Sequence, residues 1–186
     1  MAEVEENDSS ATASEIDEVG FLVPDKQGTV VILELVDPAD SRAVRNKNMI
    51  LDHYARMING KDAETGTRHF DPGYIQHNPL MADGQVPLAA FFSEVSRGRE
   101  TSRIVVHKII SVGNFVWTHV NFLNFFSDDP DDTGVAGVDI FKMDDDGRAI
   151  EHWDVLQFVG DPTNSAPMLG ANIPRANSNG MFEERT

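Results

Sequence analysis

The stretch "DIFKMDDDGRAIEHWDV", Asp139–Val155, carries six acidic residues, and two of them, Asp139 and Asp154, sit among apolar and aromatic neighbours. A turn at Asp146-Gly147 folds it into a hairpin, because Asp-Gly is a favoured pair for a two-residue type I′ turn. In that register Lys142 faces Glu151, an opposite-charge pair that supports the alignment. Met143 then faces Ile150, Phe141 faces His152, and Asp139 faces Asp154. Side chains alternate along a strand, so Asp139, Phe141, His152 and Asp154 share one face. Lys142 and Glu151 share the other with Ile140, Trp153 and Val155. The salt-bridged face is the wetter one, which leaves the first face to line an interior.

Two carboxylates about 5 Å apart across a strand pair cannot both ionise cheaply, and desolvation adds to the repulsion. At least one pKa should rise toward neutrality, where a carboxyl serves as general acid or base. The competing reading is structural: one aspartate bonds a backbone amide and the other points to solvent. A one-residue slip of register would separate the pair altogether.

Outward from the hairpin the pattern is that of an α+β domain. "RIVVHKIISV" (103–112), "NFVWTHVNFLNFF" (114–126), "GVAGVDIFKM" (134–143) and "RAIEHWDVLQFV" (148–159) are four strand-like runs separated by turn signals. The polar linker "SDDPDDTG" reads as an exposed, mobile hairpin loop. Upstream, 37–60 reads as a helix, with Val44, Asn48, Leu51, Tyr54 and Ile58 at spacings of three and four and Asn59-Gly60 as the stop. Residues 61–70 suit a short helix or an irregular link. "DPGYIQHNPLMADGQ" (71–85) reads as a loop, and Pro87 opens a third helix that ends at Gly98. Thr29–Val36 has the β-branched density of a strand with no evident partner. Helices first and an antiparallel meander last predict a curved sheet wrapped around N-terminal helices, enclosing a pocket. The expected division is 1–41 as an acidic leader with an extra strand, 42–160 as the domain, and 161–186 as an irregular tail.

Other candidate residues are polar groups placed near that pocket. Gln76, His77 and Asn78 stand in a row before a helix and could orient a carbonyl or enolate oxygen; an ordinary Asn-Pro turn explains them equally. Alternation puts Trp117, His119 and Asn121 on one face of their strand, and His119 is the better candidate for the pocket. With Gly113-Asn114 as a two-residue turn, His107 faces away from it. Phe91, Phe92, Phe141 and Trp117 would supply apolar walls. His53 and His69 read as surface or packing residues.

The 186 residues include no cysteine, which removes disulfides, thiol catalysis and zinc-thiolate sites. A formal net charge of -16 repels phosphate backbones, so no nucleic-acid partner is expected. No apolar run reaches the roughly 20 residues of a membrane span, and the N-terminus lacks a signal-peptide pattern. A cytoplasmic location is the expectation. There is no HExxH, EF-hand, GxGxxG, Walker A or nucleophile-elbow motif, so no metal and no cofactor are expected.

Taken together, "YIQHNP" before a helix, "FVWTHV", "VDIFKMDDDGRAIEHWDVLQ" and the late "NSNGMF" resemble the SnoaL-like polyketide cyclase branch of the nuclear-transport-factor-2-like superfamily, over roughly residues 42–183. The resemblance implies a cone-shaped α+β barrel with a deep pocket, and a cofactor-free aldol cyclisation in which an aspartate acts as acid and base. Asp154 best matches that aspartate; His77, His119 and Asp139 match recurrent polar positions more loosely. It also implies a homodimer through the outer face of the sheet, which Ile140, Trp153 and Val155 would suit. The superfamily includes isomerases, epoxide hydrolases and non-enzymatic adaptors, so fold alone leaves the reaction open. The leading expectation is a lyase or isomerase acting on a small carbonyl compound. A non-catalytic ligand-binding or dimerisation module and an epoxide hydrolase are the alternatives.

Overall fold

A computed structural model describes residues 31–160 and 180–182. Six strands form one curled, unclosed sheet in the order β1-β3-β4-β5-β6-β2. They are β1 (Val31–Val36), β2 (Phe70–Gln76), β3 (Arg103–Val112), β4 (Phe115–Leu123), β5 (Val135–Met143) and β6 (Ala149–Phe158). Helices α1 (Ser41–His53), α2 (Ala63–Gly66) and α3 (Gln85–Ser96) lie on its concave side. The four-stranded antiparallel meander stands where the sequence puts it. β1 and β2 extend it at either edge by parallel pairing, β1 with β3 and β2 with β6. The residues before 31, those from 161 to 179 and those after 182 lie outside the described residues, so most of the acidic leader and of the tail is not described. Among the described residues no helix is long and apolar enough to cross a membrane.

Two sequence expectations are corrected. Residues 70–76, expected to fall largely in a loop because of Asp71-Pro72-Gly73, form β2. Proline is admissible there because β2 is an edge strand, where a missing N–H breaks no ladder between neighbours. The helix over 37–60 also differs in detail. Asp40 caps α1 by accepting from the amides of Arg42 and Ala43, and after His53 the helix widens into a π-helical segment, Tyr54–Asn59. The buried positions are Ala43, Asn46, Ile50 and His53, then Tyr54, Met57 and Ile58; Val44, Asn48 and Leu51 lie off that stripe. Asn46 is buried because it has partners: its Nδ2 donates to the Gly113 carbonyl at 3.2 Å and its Oδ1 accepts from Arg45. The extra residue in the π turn then advances the phase, so adjacent His53, Tyr54 and Ala55 are all buried.

The decisive hairpin has the expected register by a different route. Asp139 pairs with Asp154, Ile140 with Trp153, Phe141 with His152 and Lys142 with Glu151. The turn, however, is not the two-residue one. Asp144 accepts from the Gly147 amide at 3.2 Å and donates to the Arg148 carbonyl at 2.8 Å, with Gly147 at φ +85°. That is a turn followed by a glycine bulge. Met143 therefore faces Ala149 rather than Ile150, and a second irregularity at Ile150 restores the alignment. A Cβ at Gly147 would stand 2.6 Å from Arg45 Nε, the side chain whose Nη1 donates to the Asp145 carbonyl. Gly147→Ala should thus cost about 1–2 kcal/mol, a left-handed backbone penalty, measurable as a lowered denaturant midpoint with unchanged slope.

Candidate active site

The concave face of β4–β6 and the helices opposite it meet in one buried aromatic cluster. Phe141 packs against His152 at 4.6 Å between ring centroids, and Phe70 against Tyr74 at 4.7 Å. Inside it a cavity of about 40 Å³ is bounded by Asp139, His152 and Asp154 from the hairpin, Gln76 from β2, and His53 and Tyr54 from α1 and its π extension. Met81, Leu88 and Phe92 close the side formed by α3 and the loop before it.

Each polar group here has a definite hydrogen-bond role. Asn78 Oδ1 accepts from the Leu80 amide at 2.9 Å, which turns its Nδ2 toward Asp154, 3.0 and 2.7 Å from the two carboxylate oxygens. Gln76 Oε1 accepts from the Asn78 amide at 2.9 Å and also lies 2.9 Å from His152 Nδ1. Nδ1 must therefore carry the proton, so in the neutral ring Nε2 is a bare lone pair. It points into the site without a hydrogen-bond partner, 3.9 Å from Asp139 Oδ1. On the other side, Tyr54 donates its hydroxyl proton to Asp139 Oδ2 at 2.5 Å. Thr118 Oγ1 lies 2.8 Å from the same hydroxyl and so donates to it, forming a chain from Thr118 through Tyr54 to Asp139.

The fold that carries this site has many relatives. Residues 51–152, more than half of the chain, match the SnoaL-like domain family. The chain belongs to that family. Solved structures agree on the fold. A candidate polyketide cyclase from Bacillus cereus is 18% identical, with a TM-score of 0.56 over 73% of this chain and 89% of its own. A candidate ketosteroid isomerase from Kribbella flavida is 14% identical, with a TM-score of 0.52 over 74% and 96%. TsrD from Streptomyces laurentii is 20% identical, with a TM-score of 0.52 over 73% and 98%. No curated protein matches the chain in sequence. At these identities the structures speak for the cone-like fold and leave the reaction open.

Within this SnoaL-like domain, burial raises the pKa of Asp154, helped by the Asp139 carboxylate; the Asn78 hydrogen bond and His152 oppose the rise. Asp154 is half-buried at the cavity edge, whereas Asp139 is only 3% exposed. Burial also raises the Tyr54 and Tyr74 hydroxyls well above the ordinary phenol range, so both remain protonated donors. The acid pair is thus partnered on its outer flanks by neutral donors, and neither lysine nor arginine lines the cavity.

Several candidate residues stand elsewhere. His119 and Trp117 were expected at the pocket, but on β4 the inward residues are Val116, Thr118, Val120 and Phe122. Trp117 is 45% exposed on the convex face, and His119 lies there within 4.9 Å of the Phe182 ring. The alternation is present with the opposite phase: Thr118, paired with Asp139, faces the interior in place of His119. His107 was expected to face away from His119. A bulge between Val106 and Lys108 brings the two rings to 6.4 Å, and Phe182 stacks on His107 at 3.8 Å. His77 is also outside: it is stacked on Trp153 at 4.7 Å, with Nε2 2.9 Å from Glu151 Oε1. Phe91 packs edge-on to Phe92 at 5.3 Å and does not reach the cavity wall. Gln76, Asn78, Phe92, Asp139, Phe141, His152 and Asp154 do converge. Tyr54, Thr118 and Tyr74 join the site with no role expected of them there, and His53, expected at the surface or in packing, is a buried residue of the cavity wall. Tyr54 had a signal, since it lies on the stripe expected to be buried and carries a hydroxyl needing a partner.

Proposed function

We propose that this SnoaL-like domain is a cofactor-independent lyase or isomerase that moves a proton alpha to a carbonyl group. The observation that carries the reading is Asp154, a carboxylate of raised pKa at the cavity edge, oriented by a single amide and facing a second acid. Asp154 would take the α-proton. The enolate oxygen would lie toward Asp139 and His152, where a proton carried on either Asp139 Oδ1 or His152 Nε2 could hydrogen-bond it. Tyr54 and Thr118 would hold Asp139 in place. His152 takes over the electrophilic role expected of His119.

Size sets a condition on the substrate. A 40 Å³ space holds about two or three waters, whereas ligand sites commonly run to about 300–1,000 Å³. A small carbonyl compound enters if the wall formed by Met81 and α3 moves outward. That wall is the weaker one, since Leu88 is the one fully buried residue of α3. The test is deuterium exchange at the α-position of small β-dicarbonyl compounds in heavy water, followed by NMR. Exchange above the buffer rate supports the reading, and none across a panel of chain lengths overturns it.

A second reading concerns association. The convex face exposes Trp117 at 45%, Val138 at 38% and Val155 at 72%, an apolar surface suited to a second copy of the chain. Val155→Lys should convert a dimer to a monomer in sedimentation without altering the circular-dichroism spectrum. A wild-type chain already monomeric at high micromolar concentration would remove this reading.

A further inference from the structure

We infer that Asp139, His152 and Asp154 form a binding site for one divalent first-row transition-metal ion. Their ligand atoms, a carboxylate oxygen from each aspartate and one imidazole nitrogen, all lie within 4.8 Å of one another. Ligands on one tetrahedral ion, at bonds of about 2.0–2.2 Å, stand roughly 3.5 Å apart. Side-chain rotation of about 1 Å closes that difference. The inference does not rest on the proton-transfer reading, because it concerns which cation these lone pairs take.

The orientation of the surrounding donors distinguishes this set from an ordinary acidic cluster. His152 Nδ1–H is committed to Gln76 Oε1, so Nε2 presents a lone pair. That nitrogen has no hydrogen-bond partner, and the side chain is 7% exposed. Tyr54 occupies the far oxygen of Asp139, and Asn78 holds Asp154 from outside. The outer contacts on the two carboxylates are donors, the outer contact on the imidazole accepts its Nδ1–H, and the inner atoms are acceptors. Metal sites are supported in this way: the ligating imidazole gives its other N–H to a carbonyl, and the ligating carboxylates are themselves hydrogen-bonded. Three converging acceptors with no lysine or arginine among the cavity residues leave a cation as the natural occupant. One nitrogen with two carboxylate oxygens suits zinc, manganese or iron better than magnesium. Three protein ligands leave a coordination position facing the cavity. The ion would use the lone pairs with which Asp154 takes a proton, so metal binding and proton abstraction exclude each other. The set has no helical spacing in the sequence, because it is assembled across a hairpin.

The test uses the full, tag-free chain, stripped with chelator and titrated calorimetrically with zinc chloride, with magnesium chloride in parallel. Cobalt chloride adds a readout, since coordination by a nitrogen intensifies its visible absorption. One equivalent of zinc should bind, with magnesium ineffective. His152→Ala should weaken binding by more than the about 10–100-fold that loss of a supporting hydrogen bond brings. Asp154→Asn should also weaken it, and decides the matter if thermal unfolding shows that His152→Ala does not fold. No saturable event up to about 1 mM zinc overturns the inference, as does zinc held equally by the wild type and both variants, which would place it on surface carboxylates. Deuterium exchange is not part of this readout, so failure of the proton-transfer reading would leave the result standing.

Discussion

Asp154→Asn should lower the rate of α-proton exchange by about 10²–10⁴-fold, the contribution of a positioned general base, and should make the protein more stable at neutral pH. The amide has the shape of the carboxyl, and its oxygen can still accept from Asn78 Nδ2, which lies 2.7 and 3.0 Å from the carboxylate oxygens. Only the proton-accepting lone pair is lost. The stability gain follows from the raised pKa of Asp154, caused first by burial and then by Asp139. In the unfolded chain this carboxyl ionises near its ordinary value of 3.8, whereas the folded protein holds the proton to higher pH. Between those two values the native state binds more protons, so stability falls as pH rises, and above both the full cost remains. Asparagine has no such cost. Urea unfolding should show the variant ahead of the wild type at pH 7, with the gap closing below pH 3.8. A variant less stable at pH 7 would mean that Asp154 is a structural ion partner, and unimpaired exchange would remove it from the chemistry. The two measurements test separate links, one of energetics and one of mechanism.

How far the sequence carries toward this site depends on which residues are asked. The Asp139–Asp154 pairing is legible because opposite charges at Lys142 and Glu151 select the register. It survives a wrong turn type because the bulge after Gly147 and the irregularity at Ile150 offset one another. Faces were harder. On β4, threonine at 118 points in and histidine at 119 points out, and only the Thr118–Asp139 pairing with its Tyr54 partner reveals that. Histidine is as much at home on a partly covered convex face as in a pocket, so residue type decides nothing there. The bulge at His107 has no local signature such as glycine, and it moves a side chain to the opposite surface. β2 was hidden by its own Asp-Pro-Gly, whose turn chemistry is real: Asp71 Oδ1 accepts from the Gly73 amide at 2.8 Å while the strand still pairs with β6. The π turn at Tyr54–Asn59 is a tertiary outcome, and it sets the phase that delivers Tyr54 to Asp139.

His53 should make the fold sensitive to mild acid. Its ring is 3% exposed, 4.4 Å from Phe70, with Nδ1 donating to the Gly66 carbonyl at 2.9 Å. Burial is the main cause that pushes its pKa down from 6.5 to about 4; the Gly66 carbonyl and Asp139 oppose the shift, and the neighbouring histidines reinforce it. The unfolded chain therefore takes up a proton near pH 6.5, which the native state refuses until about pH 4. Stability from this group is fully present above 6.5 and is lost as pH falls through that window. At about 1.4 kcal/mol per pKa unit the loss is roughly 3 kcal/mol. His53→Phe keeps an aromatic ring of similar size but cannot titrate. It gives up the bond to Gly66, a cost of about 1 kcal/mol at neutral pH, and should show a flatter profile as the pH falls. His107, also held down to about 4, is less buried and contributes the same sign in both proteins. Urea midpoints at intervals from pH 7 to 4 should therefore converge and then cross, the wild type falling faster than the variant. Parallel profiles would show that His53 is protonated in the folded state, and hence that water reaches the cavity wall from the α1 side.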